Sequence, residues 1–350
     1  MAHACKASET RFAWQPGMMI DSLNNPATDH TPVLLRETIE LLQCVPGGRY
    51  VDATLGLGGH ADAILERIQP EGFLLGLDRD EESLAIARAR LAQYAGMFRL
   101  LHENFKNLPL VLNNTGITPV DGILVDLGIS SFQLLSPERG FSFQSDSMLD
   151  MRMDKSQRLT AADLIHSLAE AQLADIIRRY GEERHARRIA RAIAAARRKD
   201  AITRCSQLAE LIRRAVPARG APSIHPATRT FQALRIAVNQ ELDGLDEFIA
   251  GSLSFLRPGG RFVIISFHSL EDRIVKRAFR ALAGQCVCER PPDLCKCSRR
   301  PLARLVTHRP VRPGETEVER NPRARSARLR CAERLDACGP ASQESETVES

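Results

Sequence analysis

Three short apolar runs in the chain each end on an aspartate. Arg49-Tyr50-Val51 leads into Asp52, Phe73-Leu74-Leu75-Gly76-Leu77 into Asp78, and Gly122-Ile123-Leu124-Val125 into Asp126. Open α/β sheets bind ligands at the carboxyl ends of their parallel strands, so carboxylates at such ends converge on one crevice. The first run is followed by Gly56-Leu57-Gly58-Gly59-His60 and then by a helix-like stretch from Ala61 to Ile68. Backbone N–H groups at a glycine-rich helix start suit an anion, and an aspartate closing the second strand suits the two hydroxyls of a ribose. The constellation reads as a nucleoside-cofactor pocket, for which two cofactors compete. Gly56-Leu57-Gly58-Gly59-His60-Ala61 fits the dinucleotide pattern G-x-G-x-x-A, with Asp78 near the ~20-residue distance that pattern expects, which would make the chain a nicotinamide dehydrogenase. S-adenosylmethionine is favoured because Asp52 and Asp126 would set carboxylates beside a cationic sulfonium and amino group but would repel a pyrophosphate. The tight polar loop Asp126-Leu127-Gly128-Ile129-Ser130-Ser131 also stands where a methyl acceptor would meet that cofactor. A lone aspartate is more commonly a helix cap or a turn residue; three in register after three strands reverse that preference.

The elements that must position these groups alternate along the chain. Strands are expected near 49–52, 73–78, 98–101 and 121–126, with helices at 60–69, 81–94 and 105–113, the pattern of βαβ units and a parallel sheet. From 136 to 245 the periodicity is helical only. There Thr160-Ala161-Ala162-Asp163 reads as a capping box, and Phe231, Leu234, Val238, Leu242 and Leu245 as a buried stripe. Arg257-Pro258-Gly259-Gly260 is a turn, 261–266 resumes the strand series, and Ser269-Leu270-Glu271-Asp272 caps a helix over 270–283. Segments at 302–307 and 326–331 are expected to close the sheet as antiparallel strands. The economical topology is therefore one α/β sheet interrupted by an inserted all-helical domain. Residues 1–28 form a loose extension, 29–135 and 246–334 the discontinuous sheet domain, 136–245 the inserted domain, and 335–350 a tail of disordered composition.

Bulk properties narrow the class. At 350 residues, 43% hydrophobic and 26% charged, the chain is an ordinary globular protein large enough for two domains. No apolar run approaches the ~18–20 residues of a membrane span, and the N-terminus lacks a signal-peptide pattern, so a cytoplasmic protein is expected. The net charge of +5 is unevenly spread: thirteen Lys/Arg stand against four Asp/Glu between Arg178 and Arg219. Within that region Arg184, Arg187, Arg188 and Arg191 follow i, i+3, i+4, i+7 spacing and share a helix face, which favours phosphate contact over a merely solvated surface. Nine cysteines argue for reduced thiols or a metal rather than a disulfide framework. Cys286-Val287-Cys288 and Cys295-Lys296-Cys297 could supply four thiolates to a structural zinc, with reduced structural cysteines the preferred alternative.

Longer motifs carry a resemblance. Asp126-Leu127-Gly128-Ile129-Ser130-Ser131, Glu138-Arg139-Gly140-Phe141-Ser142-Phe143 and Leu149-Asp150-Met151-Arg152-Met153-Asp154 stand in order. Tyr180-Gly181-Glu182-Glu183-Arg184, His225-Pro226-Ala227-Thr228-Arg229-Thr230-Phe231-Gln232-Ala233-Leu234-Arg235 and Ser266-Phe267-His268-Ser269-Leu270-Glu271-Asp272-Arg273 follow. With His30-Thr31-Pro32-Val33-Leu34-Leu35 and Asn321-Pro322-Arg323-Ala324-Arg325-Ser326 at the two ends, residues 29 to 334 resemble the bacterial MraW/RsmH family of 16S rRNA cytosine-N4 methyltransferases. The resemblance implies that the α/β fold is a class I (Rossmann-like) methyltransferase sheet with its inserted all-helical domain. It also implies S-adenosylmethionine as donor and a cytidine in the decoding region of small-subunit rRNA as acceptor, within the ribosomal subunit, and leaves a homodimer open. It places cofactor contacts on Gly58, Gly59, His60, Asp78, Phe105, Asp126 and Gln133. Phe132 and Ser147-Met148 depart from the commoner family residues and read as loop adjustments.

The chemistry so implied makes its own demands. The exocyclic amine of cytosine is a weak nucleophile, so acceptors must bind its hydrogens as it attacks in line. Asp126 and the Leu127–Ser130 turn, Ser130 included, are the catalytic candidates. The base must leave its stack, so Phe132, Phe141, Phe143 and Arg139 are candidates for a platform, with the phenylalanines weighed against their ordinary role as core. Arg229 and Arg235 are expected on RNA, as is His268, for which a histidine bonded to a helix cap is an equal alternative. A ribosome-assembly factor and a DNA or other amino-methyltransferase stay as competing readings.

Overall fold

A computed structural model describes residues 31–144, 146–217, 225–288, 295 and 300–336. The expected extension at 1–28 and all but two residues of the expected tail at 335–350 lie outside them. The elements run α1 (Leu35–Leu42), β1 (Arg49–Asp52), α2 (Gly59–Ile68), β2 (Phe73–Asp78), α3 (Glu81–Arg90), β3 (Phe98–His102), α4 (Leu108–Thr115), β4 (Val120–Asp126) and α5 (Ser131–Leu135). Helices follow: α6 (Ala161–Ser167), α7 (Glu170–Gly181), α8 (Ala186–Ala196), α9 (Cys205–Ala215), α10 (Thr228–Asn239) and α11 (Leu245–Ser252). The chain then returns to the sheet through β5 (Leu256–Ser266), α12 (Ser269–Leu282), β6 (Ala303–Leu305), α13 (Glu315–Arg320) and β7 (Arg328–Arg334).

The sheet has the order β3-β2-β1-β4-β5-β7-β6. Strands β1 to β5 are mutually parallel, and β7 runs antiparallel between β5 and β6. This is the class I methyltransferase sheet. Both faces are covered, which is why the strands read as unbroken apolar runs. Along β4, Ile123 and Val125 join a core filled by α4, α11 and α12, whereas Leu124 joins one filled by α1, α2 and α3. The strand order reverses between β1 and β4, so Asp52 and Asp126 end the two strands that flank the crevice of the sheet.

A third apolar cluster belongs to the helices between: Leu149, Met151, Ile165, Ile177, Ile193 and Ile212 are buried together there. The Thr160 capping box opens α6, with the Thr160 hydroxyl accepting the Asp163 N–H and the Asp163 carboxylate accepting the Thr160 N–H. The expected stripe from Phe231 to Leu245 does not run as one helix. Gln240 turns left-handed at φ 50° and ends α10; Leu242 is half-buried, and Leu245 packs in α11 against the sheet. The expected Arg257–Gly260 turn is a bulge inside β5, where Leu256 pairs with Val120 but Arg261 already pairs with Gly122. The helix expected at 81–94 is α3 followed by a 3-10 turn at Ala92–Tyr94, and that at 105–113 begins as a 3-10 turn at Phe105–Asn107 before α4. Among the described residues no helix is long and apolar enough to cross a membrane.

Candidate active site

The carboxyl ends of β1, β2 and β4 open into a cleft of about 320 Å³ that is also lined by the β1–α2 loop, by α10 and by the residues after α13. Gly58 precedes α2 with φ 79°, and having no side chain it leaves the first-turn N–H groups of α2 uncapped. A Cβ on Gly59 would come within 2.4 Å of Pro32 Cγ, so the loop depends on a bare backbone there. Asp78, at the end of β2, accepts the Gly56 N–H at 2.7 Å on one oxygen and the Asp80 N–H at 2.8 Å on the other. A carboxylate has about four acceptor positions, so Asp78 keeps lone pairs for ligand hydroxyls. It thereby holds the glycine loop over its own strand end.

Asp52 is fully buried and accepts the Thr54 N–H at 3.3 Å, while the Thr54 hydroxyl accepts the Asp126 N–H at 2.5 Å. Thr54, which sequence reasoning missed, thus ties the two flanking strands together. Asp126 bears the greatest electrostatic stress. Its Oδ1 is buried without a hydrogen-bond partner, and its Oδ2 lies 3.9 Å from His60 Nδ1. Burial pushes the Asp126 carboxyl well above the usual range, with Asp52 and Glu271 adding to the rise. Burial also pushes Asp52 up to about 7, against the pull of the Thr54 N–H, and Asp78 up to about 6, against the N–H groups of Asp80 and Gly56. His60 offers no compensating cation: burial pushes its imidazole down to about 4. Its Nε2 lies 3.1 Å from the Val33 carbonyl, so the neutral ring carries its proton there and turns an unprotonated Nδ1 towards Asp126. Among the described residues Asp126 therefore has no Lys or Arg in ion-pair reach, although Arg79, Arg90, Arg235 and Arg323 line other parts of the cleft.

Phe105 lines the cleft from the turn after β3, set edge-on against Phe248 with ring centroids 4.9 Å apart. Ser130 and Gln133 also line it, but both are engaged. Ser130 Oγ accepts the Gln133 N–H at 3.1 Å, Gln133 Oε1 accepts the Ser130 N–H at 3.1 Å, and Gln133 Nε2 donates to Asp80 Oδ2 at 2.7 Å. Gln133 therefore shapes the rim as a capping box rather than as a free ligand group.

Several expected RNA residues are placed elsewhere. Arg139 is 1% exposed, donating to Asp80 Oδ2 and Glu82 Oε2 at 2.9 Å and to the Met153 carbonyl at 2.6 Å. That is a correction: its guanidinium is consumed inside the protein and has no surface to offer a base or phosphate. Phe141 is likewise core, buried in the helical cluster with Phe143 packed against it. Phe143 does stack on exposed His225, ring centroids 4.5 Å apart. His268, not Ser269, is the N-cap of α12; its Nδ1 accepts the Glu271 N–H at 3.4 Å and its Nε2 lies 3.1 Å from Glu271 Oε1. The helix-cap alternative is the one found, and His268 is not among the cleft-lining residues.

Arg235 does reach the cleft, yet it donates twice to Glu241, at 2.9 and 2.8 Å. Its neighbour Asn239 accepts the Met153 N–H at 2.8 Å and donates to the Met151 carbonyl at 2.7 Å, pinning the 151–153 segment to the cleft. Arg229 lies 3.9 Å from Glu183 and stays 44% exposed. Arg187, Arg188 and Arg191 are exposed along one side of α8, with Arg191 3.7 Å from Glu170. Arg184 stands exposed in the turn before the helix begins at Ala186, so the four do not share one helix face as expected. Asn321 and Arg323 line the cleft from nearly 200 residues beyond the β4 loop in sequence, a distance of about that order that no local pattern bridges. Cys286, Cys288 and Cys295 lie together away from the cleft, and Cys297 lies outside the described residues.

The chain matches the model of the MraW methylase family over residues 27–335. It is 51% identical over 310 residues to the ribosomal RNA small subunit methyltransferase H of Syntrophobacter fumaroxidans, spanning 88% of this chain and 97% of that protein. It is 53% identical over 308 residues to the protein of the same name from Geobacter sulfurreducens, spanning 87% and 99%. Among solved structures, the O-methyltransferase TomG from Streptomyces achromogenes in complex with SAM is matched at a TM-score of 0.40 and 11% identity, over 86% of this chain and 78% of that one, too remote a likeness to bear on the site. A family match that takes in the strand ends, the helical block and the cleft-lining Asn321 and Arg323 leaves one conclusion: the chain belongs to the MraW methylase family.

Proposed function

We propose that this chain transfers the methyl group of S-adenosylmethionine to the N4 exocyclic amine of a cytidine in the decoding region of 16S rRNA, within the small ribosomal subunit. The observation that carries the reading is the buried, unpartnered Oδ1 of Asp126 among the raised carboxyls of Asp52 and Asp78, at the sheet's strand reversal. Such a set is stable in ionised form only beside a ligand that brings cations and donors. The naming of the relatives as ribosomal RNA small subunit methyltransferases supports the acceptor class. A cleft of about 320 Å³ falls in the usual range for a small-molecule site.

S-adenosylmethionine fits this donor set, and when bound it supplies an electrophilic methyl carbon on a sulfonium. The uncapped N–H groups of Gly59 and His60 would hold its carboxylate, Asp78 its ribose hydroxyls, and Phe105 the face of its adenine. Asp126 would accept a hydrogen of the attacking amine, concentrating the nitrogen lone pair as it enters. The carbonyls of the Leu127–Ser130 turn would take the second hydrogen. Residues 136–245 would act as the substrate-recognition domain, their basic α8 side binding phosphate. Arg229 would reach the RNA from the exposed start of α10, and Arg235 would face the base across the cleft while fixed by Glu241.

The test is methyl transfer from labelled S-adenosylmethionine to small subunits, naked rRNA and DNA, with the nucleosides resolved afterwards. Label in N4-methylated cytidine from subunits is expected. Label confined to DNA or to another nucleoside, or none despite bound cofactor, would overturn the reading.

A further inference from the structure

The connection from α12 to β6 closes on itself: the Leu302 N–H donates to the Leu282 carbonyl at 2.7 Å, so the two ends of the intervening segment meet. Within it, three sulfur atoms converge. Cys286 Sγ lies 3.4 Å from Cys288 Sγ and 3.4 Å from Cys295 Sγ, and the Cys288 and Cys295 sulfurs are also 3.4 Å apart. A disulfide requires ~2.05 Å, so no pair is bonded. The equilateral arrangement instead matches a shared ligand: a point about 2.3 Å from all three sulfurs, the zinc–thiolate distance, lies about 1.2 Å off their plane. The sulfur–metal–sulfur angles there are roughly 95°, close enough to tetrahedral for small side-chain adjustments to complete.

We propose that Cys286, Cys288 and Cys295 bind a zinc ion as thiolates, with one position left to a further ligand. An all-sulfur set selects zinc or iron–sulfur chemistry over hard cations, and a single compact triangle suits one ion. Binding displaces the three thiol protons and makes no change in oxidation state. The other described cysteines show what a merely structural thiol looks like in this fold. Burial pushes Cys44 and Cys331 up to about 12 and raises Cys205, so these stay protonated and inert. Cys286 is exposed and Cys288 and Cys295 half-buried, which leaves a path for an ion. None of the three lines the methyl-transfer cleft, so the ion's role is to staple the surface connection that joins α12 to the antiparallel end of the sheet.

The full-length chain purified without chelator should carry about one zinc per chain by elemental analysis, the stoichiometry of a single structural site. The double variant Cys288→Ser, Cys295→Ser should lose the zinc while S-adenosylmethionine binding is unchanged. Cobalt(II) added to the reduced, metal-free wild-type chain should give a sulfur-to-cobalt charge-transfer absorption that zinc abolishes. Absence of zinc in the purified wild type together with no such absorption would overturn the proposal. So would iron and labile sulfide in place of zinc, a disulfide among these cysteines, or zinc retained by the variant. Both decisive readings are made on the wild-type chain, so a variant that fails to fold leaves the test intact.

Discussion

Asp126 concentrates the conflicts of the whole site in one side chain. It closes β4, has one buried oxygen without a partner, and faces a histidine that burial keeps neutral. If it accepts a hydrogen of the attacking amine, Asp126→Ala should lower turnover by about 10²- to 10⁴-fold, the usual worth of a positioned acid–base group. S-adenosylmethionine should still bind by calorimetry, because the loop and Asp78 remain. Near-normal turnover with cofactor bound would move the role to another group. The same carboxyls make a pH prediction. Their folded pKa values are raised, so the free protein is most stable where they are protonated. It loses stability as pH rises from the ordinary carboxylate range, where the unfolded groups ionise, up to about 6 for Asp78 and about 7 for Asp52. A ligand with cationic groups favours the ionised forms. The thermal stabilisation by S-adenosylmethionine should therefore grow across that interval, read as the difference between melting curves with and without it. A gain that is flat or shrinks with rising pH would contradict a cationic ligand beside these groups.

Between elements, the buried ion network around Arg139 does what a loop alone could not: it locks the start of α3 to the chain that enters the helical block. Asp80 caps α3, accepts from Gln133 Nε2 and pairs with Arg139, whose guanidinium also reaches Glu82 and the Met153 carbonyl. Arg139→Ala leaves the Asp80 carboxylate buried without its counter-charge and should cost about 3–5 kcal/mol in urea unfolding. Arg139→Lys should recover only part of this, since a point charge cannot reach three acceptors held in a fork. A loss below about 1 kcal/mol for Arg139→Ala, the range of an exposed pair, would show that the network is not a clamp. The same residue marks where sequence reading stops. The strands were legible because a doubly covered sheet needs unbroken apolar runs, and their terminal aspartates announced the crevice. Arg139 looked like a surface arginine because its partners are Asp80, nearly sixty residues earlier, and a backbone carbonyl, a separation of about that size that charge pattern does not encode. The assignment of Ser269 as a cap failed for a local reason: His268 can accept through Nδ1 and pair with Glu271 as well, and the sequence allows either start.

At the scale of the molecule, sheet and helical block meet in the cleft, where Met153, Arg235 and Glu241 from the block face Asp78 and Asp126 from the sheet. Nucleic acid held on the block would be held against the strand ends. The Arg184, Arg187, Arg188 and Arg191 side chains are exposed, and the ion pair of Arg191 with Glu170 has both partners largely in solvent. Such a pair contributes little and yields readily to phosphate. If all four arginines neutralise phosphates, replacing them together with alanine should weaken binding to small subunits. It should also flatten the dependence of log K on log salt by roughly 3, since each neutralised phosphate accounts for about 0.7 to 0.9 of the slope. Cofactor affinity should not change, because none of the four lines the cleft. An unchanged salt slope would return this face to ordinary solvation and leave RNA binding to other surfaces. A flattened slope with unchanged cofactor binding would separate the two tasks physically, with the charge of the block capturing the acceptor and the carboxylates of the sheet acting on it.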